Sequence, residues 1–465
     1  MGERVSRTLH DLGKRLSGGL SQPGDERYHS ATRIWAKPTG PMPRAIAHCR
    51  TTEDVRSAIL GARDCDLSLS VRGGGHDWVG RALCDGIVID LQGMNSAEAY
   101  VENCTARIGG GARVSDVIAQ TDPLGLAAVT GSVGAVGMAG LTLGGGYGPL
   151  IGRCGLALDN LLAAEVVLAD GRIVLAQPDN EPELFWALRG GGGNLGVVTM
   201  MHHRLHYLPS VHAGMLMYPF PEASTVLTGC AELAAAAPDA LTVQIGIVAG
   251  PGGTPVVLVI PTWCGDPGEG EAEVAPFLRL GTLLDGHVDT IPYGRLLAVF
   301  DPFLVDGRRT FMENCWLPAL DAPAIGAMIQ AMASAVSPNC AVFTHEFKGA
   351  ATRVPLQTTA FGLRRDHVLI EILAACGDGS ETPEPELHRD WALAARSAFA
   401  AIALPGGYPN LLPRDDSERA AKSYGVNAGR LIRAKRHYDP DNVFRSAIPL
   451  PSIAICGRHP NDAPQ

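Results

Sequence analysis

The sequence predicts an α+β protein of more than one domain, and three observations predict it. From Ile46 to Leu205 short strands and helices alternate between clusters of glycine. Beyond Tyr207-Leu208-Pro209 the clusters thin out, and alanine-rich helices alternate with apolar strands. After Leu404 turn residues return, together with Tyr408, Asn410, Tyr424, Asn427, Tyr438 and Asn442. A chain of 465 residues exceeds what one hydrophobic core supports, so the expected units are 1–207, 208–403 and 404–465.

The elements follow in order. Thr51-Thr52-Glu53-Asp54 opens a helix to about Cys65, with Thr51 or Thr52 as its cap. Strands are expected at 68–72, 87–91 and 106–109, then a helix near 114–120. From Leu126 to Gly148 glycine is so dense that neither regular element is expected throughout, and something large must lie against this backbone. Asp170-Gly171 joins strands 161–168 and 173–176 in a hairpin. A helix over 181–188 leads through Arg189-Gly190-Gly191-Gly192-Gly193-Asn194-Leu195-Gly196 into a strand over 197–205. In the middle region helices are expected at 225–236, 322–336 and 391–403, with strands at 240–248 and 255–261.

Hydrophobic residues make up 46% and charged residues 18%, a composition with ample core material. Lys plus Arg number 38 against Asp plus Glu 48, a net charge of −10 without a basic cluster. Nucleic acid is therefore excluded as the main partner, and a small molecule is favoured. The 11 cysteines contain no CxxC pair and suit reduced thiols. No apolar signal core and no run of about 18 apolar residues is present, so a cytoplasmic protein without membrane attachment is expected. A homodimer is compatible with the sequence, which does not determine the oligomeric state.

Val71-Arg72-Gly73-Gly74-Gly75-His76 is the most informative stretch. Residues without Cβ let backbone N–H groups converge on an anion, and His76 offers a donor, a base or a covalent attachment point. Gly191-Gly192-Gly193-Asn194-Leu195-Gly196 fits G-x-G-x-x-G, but a helix precedes it and a strand follows, the reverse of a dinucleotide fingerprint. His202-His203-Arg204-Leu205-His206 divides its histidines between two strand faces and has no carboxylate or thiolate nearby, so no metal site is expected. Cys154 reads as a space-filling thiol.

Read together, Arg72 to His76, Gly144-Gly145-Gly146-Tyr147-Gly148, Cys154 to Asn160, Glu183 to Thr199 and Tyr438-Asp439-Pro440-Asp441-Asn442-Val443-Phe444 resemble the FAD-linked oxidases of the berberine bridge enzyme-like group, within the vanillyl-alcohol oxidase superfamily. The resemblance implies a two-part FAD-binding domain made from both chain ends, with an inserted α+β substrate domain, an antiparallel sheet covered by helices. It implies FAD bonded covalently from His76 to the 8-methyl carbon of the ring. The implied flavin contacts are Arg72, Gly73, Gly74, Gly75 and Gly80; Thr130, Gly131, Ser132, Val136, Gly137, Gly140 and Leu141; Gly145, Gly146 and Gly148; Asn194, Gly196, Val197 and Val198; and Tyr408 and Asn410. Relatives with a second, cysteinyl link carry it where this chain has Val133, so a single bond is implied. Val136 stands where the family gates oxygen, and valine there accompanies oxidase behaviour.

Such chemistry removes a hydride from a C–H bond and a proton from the neighbouring O–H or N–H, so a base is needed. Alternation puts Glu346 beside Lys348 on one strand face, and Glu371 interrupts the apolar run Val368 to Leu373. Either carboxylate is a candidate base, and a salt bridge is the structural alternative for each, such as Glu346 with Lys348 or Arg353. Tyr408 and Asn410 match the family's Tyr-x-Asn segment at the reacting side. The expected activity is oxidation of an alcohol or amine with O2 as acceptor and release of H2O2. A dehydrogenase with another acceptor, or a flavin-binding protein without turnover, are the alternatives. Tyr293, Phe300, Phe303, Phe311 and Trp316 lean towards a small or apolar substrate.

Overall fold

Short apolar strands bounded by glycine, and longer alternating ones beyond residue 207, assemble into three sheets. The computed structural model describes residues 2–301, 304–377 and 384–451, so Phe303 and residues 452–465 lie outside the described residues.

The first sheet contains β1 (Leu20–Ser21), β2 (Ala45–His48), β3 (Leu69–Arg72) and β4 (Ile87–Asp90) in the order β1-β2-β4-β3. β2 and β3 run parallel to β4, which is buried along its whole length, as a strand covered on both faces must be. The helix Thr52–Asp64 packs Val55, Ala58, Ile59 and Ala62 into this core. Thr51 caps it in a capping box with Asp54, which satisfies two backbone donors of the first turn.

The second sheet contains β5 (Ala97–Tyr100), β6 (Thr105–Gly109), β7 (Leu126–Ala128), β8 (Leu161–Val167), β9 (Ile173–Ala176) and β10 (Val197–Tyr207), ordered β5-β6-β10-β8-β9 with β7 on β10. The β8–β9 hairpin turns at Gly171, whose φ of 85° favours glycine. Within the dense glycine stretch a short helix forms at Met138–Gly144, buried through Met138, Ala139, Thr142 and Leu143. Packing overrides the low helix propensity of its glycines.

The third sheet contains β11 (Val211–Pro219), β12 (Leu241–Ala249), β13 (Pro255–Trp263), β14 (Asp285–Ile291), β15 (Arg309–Leu317), β16 (Cys340–Phe347) and β17 (His367–Cys376). It is antiparallel, in the order β14-β11-β13-β12-β16-β17-β15. The helices Ala223–Ala236, Ala322–Ala333 and Pro385–Ala398 share a core with one face, through residues such as Val243, Ile245, Val342, Ile370 and Ile372. Period-2 alternation turns Gln244, Phe343, His345, Leu369 and Glu371 to the other face. The third of these helices starts at Pro385, ahead of the expected 391, because proline suits the first-turn position and the polar Glu386 and Arg389 cover its outer side. Among the described residues no helix is long and apolar enough to cross a membrane.

Candidate active site

The free face of the third sheet and the glycine loops of the other two enclose a cavity of about 500 Å³. Its floor is the loop after β3 and the segment 131–141. The loops touch through main chain: a methyl group added at Gly74 would lie 2.5 Å from the N and Cα of Gly137. Around this contact the N–H groups of Gly74, Gly75, His76, Ser132, Val133 and Gly134 find no protein acceptor among the described residues. Main-chain donors left unpaired at a cavity form an anion-binding nest. Trp78 adds a buried Nε1–H, also without a partner, to the same wall. Gly140 faces open space, with nothing within 4 Å of an added methyl.

His76 leaves the turn at Gly75, whose φ is +73°, and enters this cavity. Burial pushes its pKa down to about 4, so the imidazole is neutral near pH 7; Asp306 and Glu371 oppose the shift and Arg113 reinforces it. Its ring stacks on Trp35 with centroids 4.4 Å apart and planes 14° apart.

On the opposite wall Glu371 Oε2 lies 3.1 Å from His345 Nε2, a hydrogen-bonded contact whose side chains are 22% and 15% exposed. Register explains the meeting: Phe343 faces Glu371 and His345 faces Leu369 across β16 and β17, so all four share the cavity side. Glu371 thus has a partner, His345, that the apolar run Val368 to Leu373 did not identify. Around the pair the wall is apolar, with Phe300, Leu304, Met312, Phe343, Leu369 and Leu373, and Gln244 adds an amide.

Glu346 and Lys348 do not line this cavity. β12 and β16 pair only at Gly246↔Phe343 and Ile247↔Val342, and where the strands diverge a pair of side chains replaces the ladder. Ile245 N–H donates to Thr344 Oγ1 at 3.1 Å, and Val243 N–H donates to Glu346 Oε2 at 2.6 Å. Burial pushes the Glu346 carboxyl up to about 7, against the pull of Lys348 and the Val243 N–H. Lys348 donates to Ala234 O at 3.3 Å, and Arg353 pairs with Asp239 at 2.7 Å, so neither expected salt bridge of Glu346 forms.

Tyr408 and Asn410 do reach the cavity. The Tyr408 hydroxyl accepts from Gly146 N–H and from Asn410 Nδ2, both at 3.0 Å. Burial holds its pKa at about 12, leaving a neutral hydroxyl with its own proton to donate. Sequence reasoning missed the residues that seat this segment. Asn314 Oδ1 accepts Tyr408 N–H at 2.7 Å. Arg81 donates to Asn410 O at 3.0 Å and to Leu412 O, while Ser446 Oγ donates to Arg81 O at 2.8 Å. Asn314 stands opposite Glu371 on β15, a proximity that only the strand register reveals. Tyr424 and Asn427 brace the returning chain, donating to Gly190 O and to Leu356 O.

Of the implied flavin contacts, Gly73, Gly74, Gly75, His76, Gly131, Ser132, Val136, Gly137, Gly140, Leu141, Gly196, Val197, Val198, Tyr408 and Asn410 line the cavity. Arg72, Gly80, Thr130, Gly145, Gly146, Gly148 and Asn194 do not, and each has a supporting place instead. Arg72 pairs with Asp90 at 3.1 Å, tying β3 to β4. Gly80 O accepts from Arg414. Thr130 bonds Tyr293 at 2.9 Å. Gly145 and Gly146, both at positive φ, make room for Tyr408 and Ala157. Gly148 allows close approach to Thr130 O. Asn194 donates to Gly191 O and Ile448 O. His203 and His206 are occupied by Ala157 O and Asn160 Oδ1, and burial pushes the Cys154 thiol up to about 11.

A main-chain anion nest, a histidine at its edge and a wall carrying one carboxylate define a flavin-dependent oxidoreductase. The nest, the unpartnered Trp78 Nε1 and the close approach of the glycine loops fit FAD. A family model described as an FAD binding domain matches residues 43–177, and one described as berberine and berberine like matches residues 407–451. (R)-6-hydroxynicotine oxidase of Paenarthrobacter nicotinovorans is 31% identical over 446 residues, 92% of this chain and 96% of that protein. The structure of 6-hydroxy-D-nicotine oxidase from Arthrobacter nicotinovorans matches with a TM-score of 0.82 at 30% identity, covering 93% and 97% of the two chains. BBE-like 1 of Physcomitrella patens, 22% identical with a TM-score of 0.85 over 96% and 99%, is alike in fold. The chain belongs to the berberine bridge enzyme-like family of FAD-linked oxidoreductases.

Proposed function

We propose that this protein is an FAD-dependent oxidase carrying its flavin on His76, and that it oxidises an alcohol or amine C–H with O2 as acceptor and H2O2 as product. When bound in this cavity, FAD would supply the two-electron acceptor for substrate hydride and the electron source for O2. The observation that carries this reading is the placement of the Glu371 carboxylate in the same cavity as His76 and the glycine loops. Glu371 takes the proton of the substrate O–H or N–H, and His345, 3.1 Å away, holds the carboxylate in place. Tyr408 donates a hydrogen bond to the substrate heteroatom while keeping its proton, its oxygen held from behind by Gly146 and Asn410. The neutral His76 nitrogen is the nucleophile for attachment.

The largely apolar wall supports a compact, weakly polar substrate over an oligosaccharide, whose many hydroxyls would lose water without finding partners. Val136 lines the cavity and, through the family resemblance, supports O2 as acceptor. A screen for peroxide release across amines, alcohols and sugars tests the reading. Release with an amine or alcohol that vanishes in Glu371→Gln is the expected result. Anaerobically reduced enzyme that stays reduced in air would overturn the assignment of O2.

A further inference from the structure

We infer that Trp35 is the positioning residue for flavin attachment: its indole holds the His76 imidazole in the plane from which a ring nitrogen attacks. This rests on the reading of His76 as the attachment point. The bond formed is between an imidazole nitrogen and the carbon of the flavin 8-methyl group. The bonds broken are one methyl C–H and the imidazole N–H. The two electrons released reduce the flavin itself, and O2 then carries them off with two protons as H2O2.

Four observations point to this role. The lone pair of a neutral imidazole nitrogen lies in the ring plane, so the torsion about Cβ–Cγ decides where it aims, and that torsion is intrinsically broad. Among the described residues no hydrogen bond holds the His76 ring, and its one aromatic neighbour is Trp35, at 4.4 Å and 14°. A stack covers a ring face and leaves both edge nitrogens unencumbered, whereas a hydrogen bond would occupy one of them. Trp35 is itself firmly placed: its N–H donates to Gly75 O at 2.9 Å, Gly307 N–H donates to its carbonyl at 2.8 Å, and Ala36 bridges Arg308. The segment thus grips the His76 loop by main chain on one side and by its ring on the other. Both rings border the cavity.

The test follows covalent flavin directly, without substrate. Wild-type, His76→Ala, Trp35→Phe, Trp35→Leu and Trp35→Ala chains are purified at full length and incubated with FAD in air. Flavin retained after denaturation is read by intact mass and fluorescence over time, with FAD bound before denaturation measured alongside. Trp35→Leu and Trp35→Ala are expected to bind FAD yet attach it at least about tenfold more slowly, because a misaligned nucleophile loses the advantage of orientation. Trp35→Phe, which keeps a stacking plane, attaches at close to the wild-type rate. Trp35→Leu keeps apolar bulk and remains informative where Trp35→Ala fails to fold. Attachment at the wild-type rate in Trp35→Leu, or equal slowing in Trp35→Phe and Trp35→Leu, overturns the inference. Covalent flavin persisting in His76→Ala overturns instead the reading beneath it.

Discussion

Glu371 Oε2 and His345 Nε2 meet at 3.1 Å on the cavity side of two paired strands, diagonally across their register. The carboxylate is thus presented to the cavity already oriented. Glu371→Gln is expected to lower kcat by about 10²–10⁴-fold, the range for loss of a general base, with FAD retained. His345→Asn should cost less, roughly tenfold, because the carboxylate keeps its place in the cavity but loses the partner that orients it. Equal rates for Glu371→Gln and wild type in steady-state peroxide assays would remove Glu371 from the mechanism.

Glu346 behaves differently because it bridges the diverging strands instead of lining the cavity. Its folded pKa of about 7 lies above its ordinary value of 4.5, so the stability it contributes is fully present below pH 4.5 and is lost as pH rises through about 7. Glu346→Gln can still accept from Val243 N–H. It is expected to gain on wild type between about pH 5 and pH 8, by on the order of 1–3 kcal/mol, with peroxide release altered less than about tenfold. Calorimetry across this range decides: a pH-independent difference in Tm contradicts the assignment.

Two glycines should separate fold from flavin binding. At Gly74 an added methyl meets Gly137 main chain at 2.5 Å, so Gly74→Ala must force the two loops apart and lose both stability and FAD. At Gly140 an added methyl meets no protein atom within 4 Å, and the residue sits in a helix. Gly140→Ala is therefore expected to hold or raise Tm, as alanine favours helix by about 0.5–1 kcal/mol, while weakening FAD binding. Thermal melts with and without FAD check both. A Gly140→Ala chain that binds FAD as tightly as wild type would place the flavin elsewhere.

Acid stability depends on buried neutral histidines. His203 and His367 are pushed down to about 4 and about 3, chiefly by burial. A histidine whose folded pKa is depressed binds its proton in the unfolded chain first, so stability falls as pH drops from about 6.5 through these values. The shift at His203 alone corresponds to roughly 3 kcal/mol. Tm measured from about pH 7 to pH 4 should fall steadily, and His203→Gln should flatten the fall.

The glycine loops of the cavity floor were legible in the sequence, because Gly73 to Gly75 and the dense stretch from Leu126 to Gly148 mark backbone that something approaches closely. The wall was not. Alternation within β16 separates His345 from Glu346 but cannot say which face meets the cavity; only pairing with β17 does. β14 went unread because an edge strand of Asp285, His287 and Asp289 carries no apolar alternation. β15 was hidden by Glu313 and Asn314, polar yet buried through bonds to Arg419 and the Tyr408 backbone. Arg81 and Trp35 act across long sequence separations that no local pattern reports.

The proposed tether at His76 is tested most directly by the intact mass of the denatured, full-length chain. A mass increased by one FAD less two hydrogens, lost in His76→Ala, is the predicted result. A wild-type chain of unmodified mass that releases its flavin on denaturation would contradict it.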